Sequence, residues 1–202
     1  RIERSGADDF RLLNSTATDG TLTLKGITFY NGSTPDDGGA VHANGDVNVI
    51  NCTFAGNKAG GSGGGIYANG GVTMDNCMFV GNEAADGGGI YANGGVSLKD
   101  CIFSRNSADG SGGALYSGSS ILLESCGFEK NASVNGTACS DSGSVAADNS
   151  SFFANIVSGN GTGVVYGTGA VLRHCTFTKN SGDGGAYNVY AKSGAVTAAN
   201  CI

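Results

Sequence analysis

Apolar and polar positions alternate along this chain in runs of three to five residues. In "VTMDNCMFV", Val72 and Met74 fall on one side with Thr73 on the other, and Cys77 and Phe79 oppose Met78 and Val80. A two-residue period belongs to strands, whose successive side chains point to opposite faces. Gly, Asn, Asp and Ser fill the gaps between runs, supplying left-handed backbone and local hydrogen bonds at bends. The runs recur. Phe54, Phe79, Phe103, Phe128, Phe152 and Phe177 are spaced 25, 24, 25, 24 and 25 residues apart. A second marker, the apolar residue after a Gly pair, falls at Val41, Ile66, Ile90, Leu115, Cys139, Val164 and Val189. A third falls at Val47, Val72, Val96, Ile121, Val145, Ala170 and Val196. Each period of 24 to 25 residues therefore predicts three short strands, and the chain holds about seven periods.

Strands this short and one-sided are best satisfied when every period is one coil of a parallel solenoid, with coils stacked about 4.8 Å apart. The expected fold is all-β, a right-handed parallel β-helix, because parallel crossovers are overwhelmingly right-handed. Alignment columns then become physical stacks. The Phe column becomes an internal aromatic ladder, beside a small-residue column of Cys52, Cys77, Cys101, Cys126, Ser150 and Cys175. Asn57, Asn82, Asn106, Asn131, Asn155 and Asn180, three residues after each Phe, are expected to bridge coils through their side-chain amides. Residues 1–37 read as an irregular, degenerate first coil. It keeps the apolar pair Leu22 and Leu24 and has either Thr28 or Phe29 in the Phe column. Residues 38–202 read as regular repeats, expected to continue beyond Ile202.

Composition alone, with 37 Gly and 8% aromatic residues, would suit a low-complexity chain, but the period overrides that reading. The net charge of −6 and the lack of a basic stripe argue against a nucleic-acid partner. No apolar run is of membrane length, so no direct membrane insertion is expected. The seven cysteines sit mostly one period apart and so point the same way on successive coils. Parallel Cβ atoms stay near the coil spacing rather than the roughly 3.8 Å of a disulfide, which predicts buried free thiols. There is no zinc-type spacing, so neither metal nor cofactor is expected. Sequons occur at Asn14, Asn31, Asn51, Asn131, Asn135, Asn149 and Asn160. Of these, bend residues Asn135 and Asn160 are the candidates for N-glycosylation, while Asn131 falls in the buried ladder.

Outward from the second strand run His42, Tyr67, Tyr91, Tyr116, Ser140, Val165 and Tyr190. Polysaccharide lyases and polygalacturonases, which share this architecture, carry clustered acids, Arg or Lys on such a surface. Here Tyr67, Tyr91 and Tyr116 form a candidate glycan-stacking column, against the alternative of a ladder that packs on itself. The nearest acids, Asp37 and Asp86, lie in bends two coils apart and read as turn caps. His42 and His174 are too far apart in coil number to share a triad. No catalytic residue is assigned, and the chain is not expected to be an enzyme. A further outward column of Asp75, Lys99, Glu124, Asp148 and Arg173 predicts ion pairs between coils. Met78, Val80, Ile102 and Phe153 flank the Phe column and form a candidate partner-contact face.

The phrases "GGGIYANGG" with "CMFVGN", and "GGALYSGSS" with "CGFEKN", resemble the paired GGxI and FxxN repeats of chlamydial polymorphic outer membrane proteins. They are also similar to β-helical repeat regions of large eukaryotic, notably algal, surface proteins. The resemblance covers about residues 38–202 and departs at Ser150, where the coil lacks Cys. It implies a right-handed parallel β-helix in an extracellular or cell-surface protein, with adhesive or structural roles and no catalytic residues. The leading expectation is a structural or adhesive rod segment of a large assembly, partnered by other copies or other domains of that assembly. The alternative is a carbohydrate-binding or carbohydrate-processing β-helix, with glycans as partners.

Overall fold

A computed structural model describes residues 1–6, 8–159, 162–183 and 185–202 and, at Cys139 and Ser140, the backbone alone. Among these residues the chain winds through about eight turns, and all pairing between its strands is parallel. Each turn contributes to four sheets. The phenylalanine sheet has eight strands, from Ile2–Glu3 through Thr28–Tyr30 to Thr176–Thr178. The tyrosine sheet also has eight, from Leu13–Ser15 through Val41–Ala43 to Tyr187–Ala191, as does the valine sheet, from Thr21–Lys25 to Val196–Ala199. A fourth sheet of seven two-residue strands runs from Ser33–Thr34 to Ser181–Gly182. Three strands per coil and about seven coils thus become four and about eight. A two-residue strand such as Lys58–Ala59 is too short to display an alternation, and the additional turn comes from the first 37 residues.

In that first turn Phe29, not Thr28, takes the aromatic position. It pairs with Phe54, and their rings stack at 4.9 Å. Leu22 and Leu24 pair with Val47 and Val49. From Phe29 to Phe177 the rings form one internal stack with centroids 4.6–5.2 Å apart. Each fully buried ring contributes roughly 1.5–3 kcal/mol through apolar burial. The asparagine column is equally continuous. The Asn82 side-chain amide donates to Asn106 Oδ1 at 2.9 Å and to the Phe54 carbonyl at 3.0 Å, while its main-chain N–H donates to the same Oδ1. Asn57, Asn106, Asn131 and Asn155 repeat the scheme. In the cysteine column each thiol donates to the carbonyl two residues earlier, as Cys101 does to Lys99 at 3.1 Å. Ser150 makes the same bond to Asp148 at 3.0 Å, so the coil without Cys keeps the interaction.

The corners rest on single residues in left-handed backbone. After every valine-sheet strand but the first, which Gly26 follows, Asn51, Asn76, Asp100, Ser125, Asn149, His174 and Asn200 have φ between +50° and +55°. Asn and Asp tolerate this region best among residues with a side chain. The Gly pair has a second cause. A Cβ on Gly64 would stand 2.3 Å from the carbonyl oxygen of Gly88 on the next coil, so the backbones can approach only without one.

Register in the tyrosine sheet departs from the even spacing in one place. Leu115 pairs with Ala138, and Ala138 with Val165. The inner column therefore holds Ala138 and Val165 rather than Cys139 and Val164, and the register of Tyr116 runs through the backbone of Cys139 to Tyr166 rather than through Ser140 to Val165. The Gly112-Gly113 pair faces Gly136 alone, as the Gly113 N–H bonded to the Gly136 carbonyl and that of Ala114 to Thr137 show. Counting onward from a Gly pair slips by one there. The longer stretch before Gly163 absorbs the change, so Phe152 and Phe177 stay paired.

Candidate functional site

On the outer face of the tyrosine sheet His42 stacks on Tyr67 at 5.0 Å, Tyr67 on Tyr91 at 5.3 Å, and Tyr91 on Tyr116 at 4.7 Å. The rings are within 12° of parallel, so their faces are turned to one another and their edges to solvent. The Tyr67 hydroxyl donates to Asn69 Oδ1 at 3.1 Å and accepts from Asn93 Nδ2 at 3.3 Å. An outer amide ladder joins Asn93 to Asn69 and Asn69 to Asn44. Burial raises the Tyr91 phenol above its ordinary value. At the head of this column His42 Nδ1 is buried without a hydrogen-bond partner. Burial lowers the His42 pKa, the Arg11 guanidinium adds to the effect, and Asp37 opposes it.

A shallow groove of about 540 Å³ runs along the neighbouring valine sheet between Thr21 and Ser120. Asn48, Thr73 and Ser97 line it, with Asp46, whose carboxylate accepts the Gly71 N–H at 2.7 Å. Asn48, Thr73 and Ser97 follow Val47, Val72 and Val96 in sequence and Asp46 precedes Val47, and that adjacency is the signal by which the groove could have been read. The groove offers amide and hydroxyl hydrogen bonds but a single carboxylate, whereas acid–base glycoside chemistry uses two. Asp37 and Asp86 cap turns: their carboxylates accept the N–H groups of Ser62 at 2.7 Å and Ser111 at 2.6 Å. His174 lies beside Asp148 at 3.0 Å, far along the coils from His42. Within the charged column Lys99 and Glu124 pair at 3.4 Å. Among the described residues no group of three or more His, Cys, Asp or Glu side chains is placed to hold a metal ion.

Met78 and Ile102 pair directly on the outer face of the phenylalanine sheet and are 41% and 47% exposed. Val80, on the other outward column, neighbours Ser104, and Phe153 is three strands further along. The four therefore do not form one apolar patch. Phe153 instead has the Lys179 ammonium 5.4 Å and the Lys130 ammonium 5.9 Å from its ring centroid. Both lysines share a corner column with Arg105, each two residues after its Phe. This column does not stand out in the sequence, because its first members, Asn31, Gly56 and Gly81, are not basic. Of the glycosylation candidates, Asn135 is half-buried with its side-chain amide donating to Ser111 Oγ, and Asn160 lies outside the described residues.

Four parallel sheets wound about an apolar, ladder-filled interior define a β-solenoid. A family model described as the right-handed β-helix region matches residues 38–202, and the chain belongs to that family. No curated protein and no solved structure matches it. The fold suits structural or carbohydrate-related roles.

Proposed function

We propose that this chain is a structural or adhesive rod segment of a large extracellular or cell-surface assembly, joined to other copies or domains of that assembly, and that it is not an enzyme. The observation that carries this reading is where the outward chemistry is spent. The tyrosine faces stack on one another, Asp37 and Asp86 cap the turns of the next coil, and Asp46 does the same for Gly71. The resemblance of the GGxI and FxxN phrases to chlamydial and algal surface repeats supports placement outside the cell. The test is to incubate the chain with polygalacturonate, with and without calcium, and to follow reducing ends. None should be released; steady release would overturn the non-catalytic reading.

A carbohydrate-binding β-helix is the second reading, favoured by the polar groove beside the tyrosines. Glycan-array binding that disappears in Tyr67→Ala and Tyr91→Ala would favour it. Retained signal in both variants would leave these tyrosines as a packing ladder.

A further inference from the structure

We propose that the corner column of Arg105, Lys130 and Lys179, organised around Phe153, is a docking strip for a linear acidic polysaccharide. The proposal rests on the adhesive reading above and names what such a rod would adhere to. All three basic residues are exposed and hold φ of +55°, a backbone region that Gly56 and Gly81 occupy more easily at the same corner of other coils. Local energetics would place Gly or Asn there, so the cations are not explained by the turn. Phe153 steadies two of them, an arrangement that fixes ammonium groups without neutralising them. Glu129 is the carboxylate in contact, on Lys130; Arg105 and Lys179 make no ion pair among the described residues.

Spacing and surroundings select the ligand. Arg105 and Lys130 are one coil apart and Lys130 and Lys179 two, so the charges fall roughly 5 and 10 Å apart along the axis. Duplex nucleic acid carries a charge about every 1.7 Å, too dense for three cations on a body of net charge −6. A polysaccharide with one carboxylate or sulfate every one or two sugars suits the sparse strip. The adjoining strands add exposed Ser151 and Thr178 hydroxyls for sugar hydroxyls. At Gly127 an added Cβ would meet nothing nearer than Ser151 Oγ at 3.7 Å, which leaves an opening beside exposed Ile102. A second copy fits less well, because Glu124 and Asp148 of its mixed-charge column are already engaged by Lys99 and His174.

The experiment measures retention of the whole chain on immobilised polygalacturonate and on heparin, with dextran, polyglutamate and single-stranded DNA as comparators, across a salt series. Both acidic polysaccharides should retain it, and the stronger of the two identifies uronate or sulfate as the preferred anion. Lys130→Gln with Lys179→Gln should weaken binding about tenfold and reduce the salt slope by about 2. Glu129→Gln should strengthen it, and Lys58→Gln, in a strand of the fourth sheet, should leave it unchanged. Thermal melts of each variant check that the fold persists. The proposal is overturned by no retention at low salt, by equal binding of the double lysine variant, or by equal or tighter binding of DNA or polyglutamate. Those results would leave the non-catalytic rod standing, whereas release of reducing ends would remove the rod reading and leave the strip.

Discussion

A buried asparagine destabilises a fold unless each of its polar atoms is matched, and Asn106 shows how the match is made here. Its Oδ1 accepts both the main-chain and the side-chain N–H of Asn82, and its own amide donates to Phe79 and Asn131. Asn106→Ala should cost roughly 2–4 kcal/mol in urea unfolding, since the Asn82 main-chain N–H and one of its side-chain amide hydrogens are each left unmatched at about 1–3 kcal/mol. Beside it, Phe103→Ala should cost about 3–5 kcal/mol as a large-to-small core change, while outward-facing Ser104→Ala should be nearly silent. Equal, small effects would invert the assignment of inside and outside. His42 gives a pH signature. Its folded pKa lies below the ordinary histidine value, so as pH falls below about 6.5 the unfolded chain takes up the proton first and stability drops. Denaturation midpoints between pH 8 and 5 should show this loss, and His42→Gln should flatten it.

At the scale of the strand and its corner, the glycine positions separate into two kinds. Gly64→Ala should prevent folding or destabilise severely, because the added carbon would strike the Gly88 carbonyl oxygen. Gly81, at φ +62° with open space around it, should accept Asn at little cost, since Asn31 occupies that corner in the first turn. Circular dichroism melts of the pair check the contrast. The same two causes explain what was legible in advance. The Phe, Asn and valine-marker columns could be read because each repeats one residue, or one apolar class of residue, at a nearly even spacing. The tyrosine column slips by one at Ser140 and Val165, because a lone Gly136 replaces the pair from which its register is counted, and it comes back into step at Tyr190. Nor could the basic corner be seen, since Arg105, Lys130 and Lys179 share a position without sharing it with every coil. The first turn was legible only as apolar pairs, its left-handed corners falling on Gly26 and Asn31 rather than on the usual phrase.

For the whole molecule, the decisive feature is that, among the described residues, each strand pairs only with strands of the turns on either side of its own, and the strands lie across the axis. Stability is then a sum of near-identical neighbour terms rather than the property of one central core. Tethered at Arg1 and Ile202 and drawn apart in a force spectrometer, such a chain has no strand pair loaded in shear. Each turn should instead unzip from its neighbour, releasing about 24 residues, or roughly 80 Å of contour length, at a time. The trace should be a low sawtooth of nearly equal teeth, and one tall peak followed by full extension would show that the turns yield together. A molecule that gives way in small equal increments extends under load without losing the turns still wound, and in this chain that tolerance is set by the residue count of one repeated phrase.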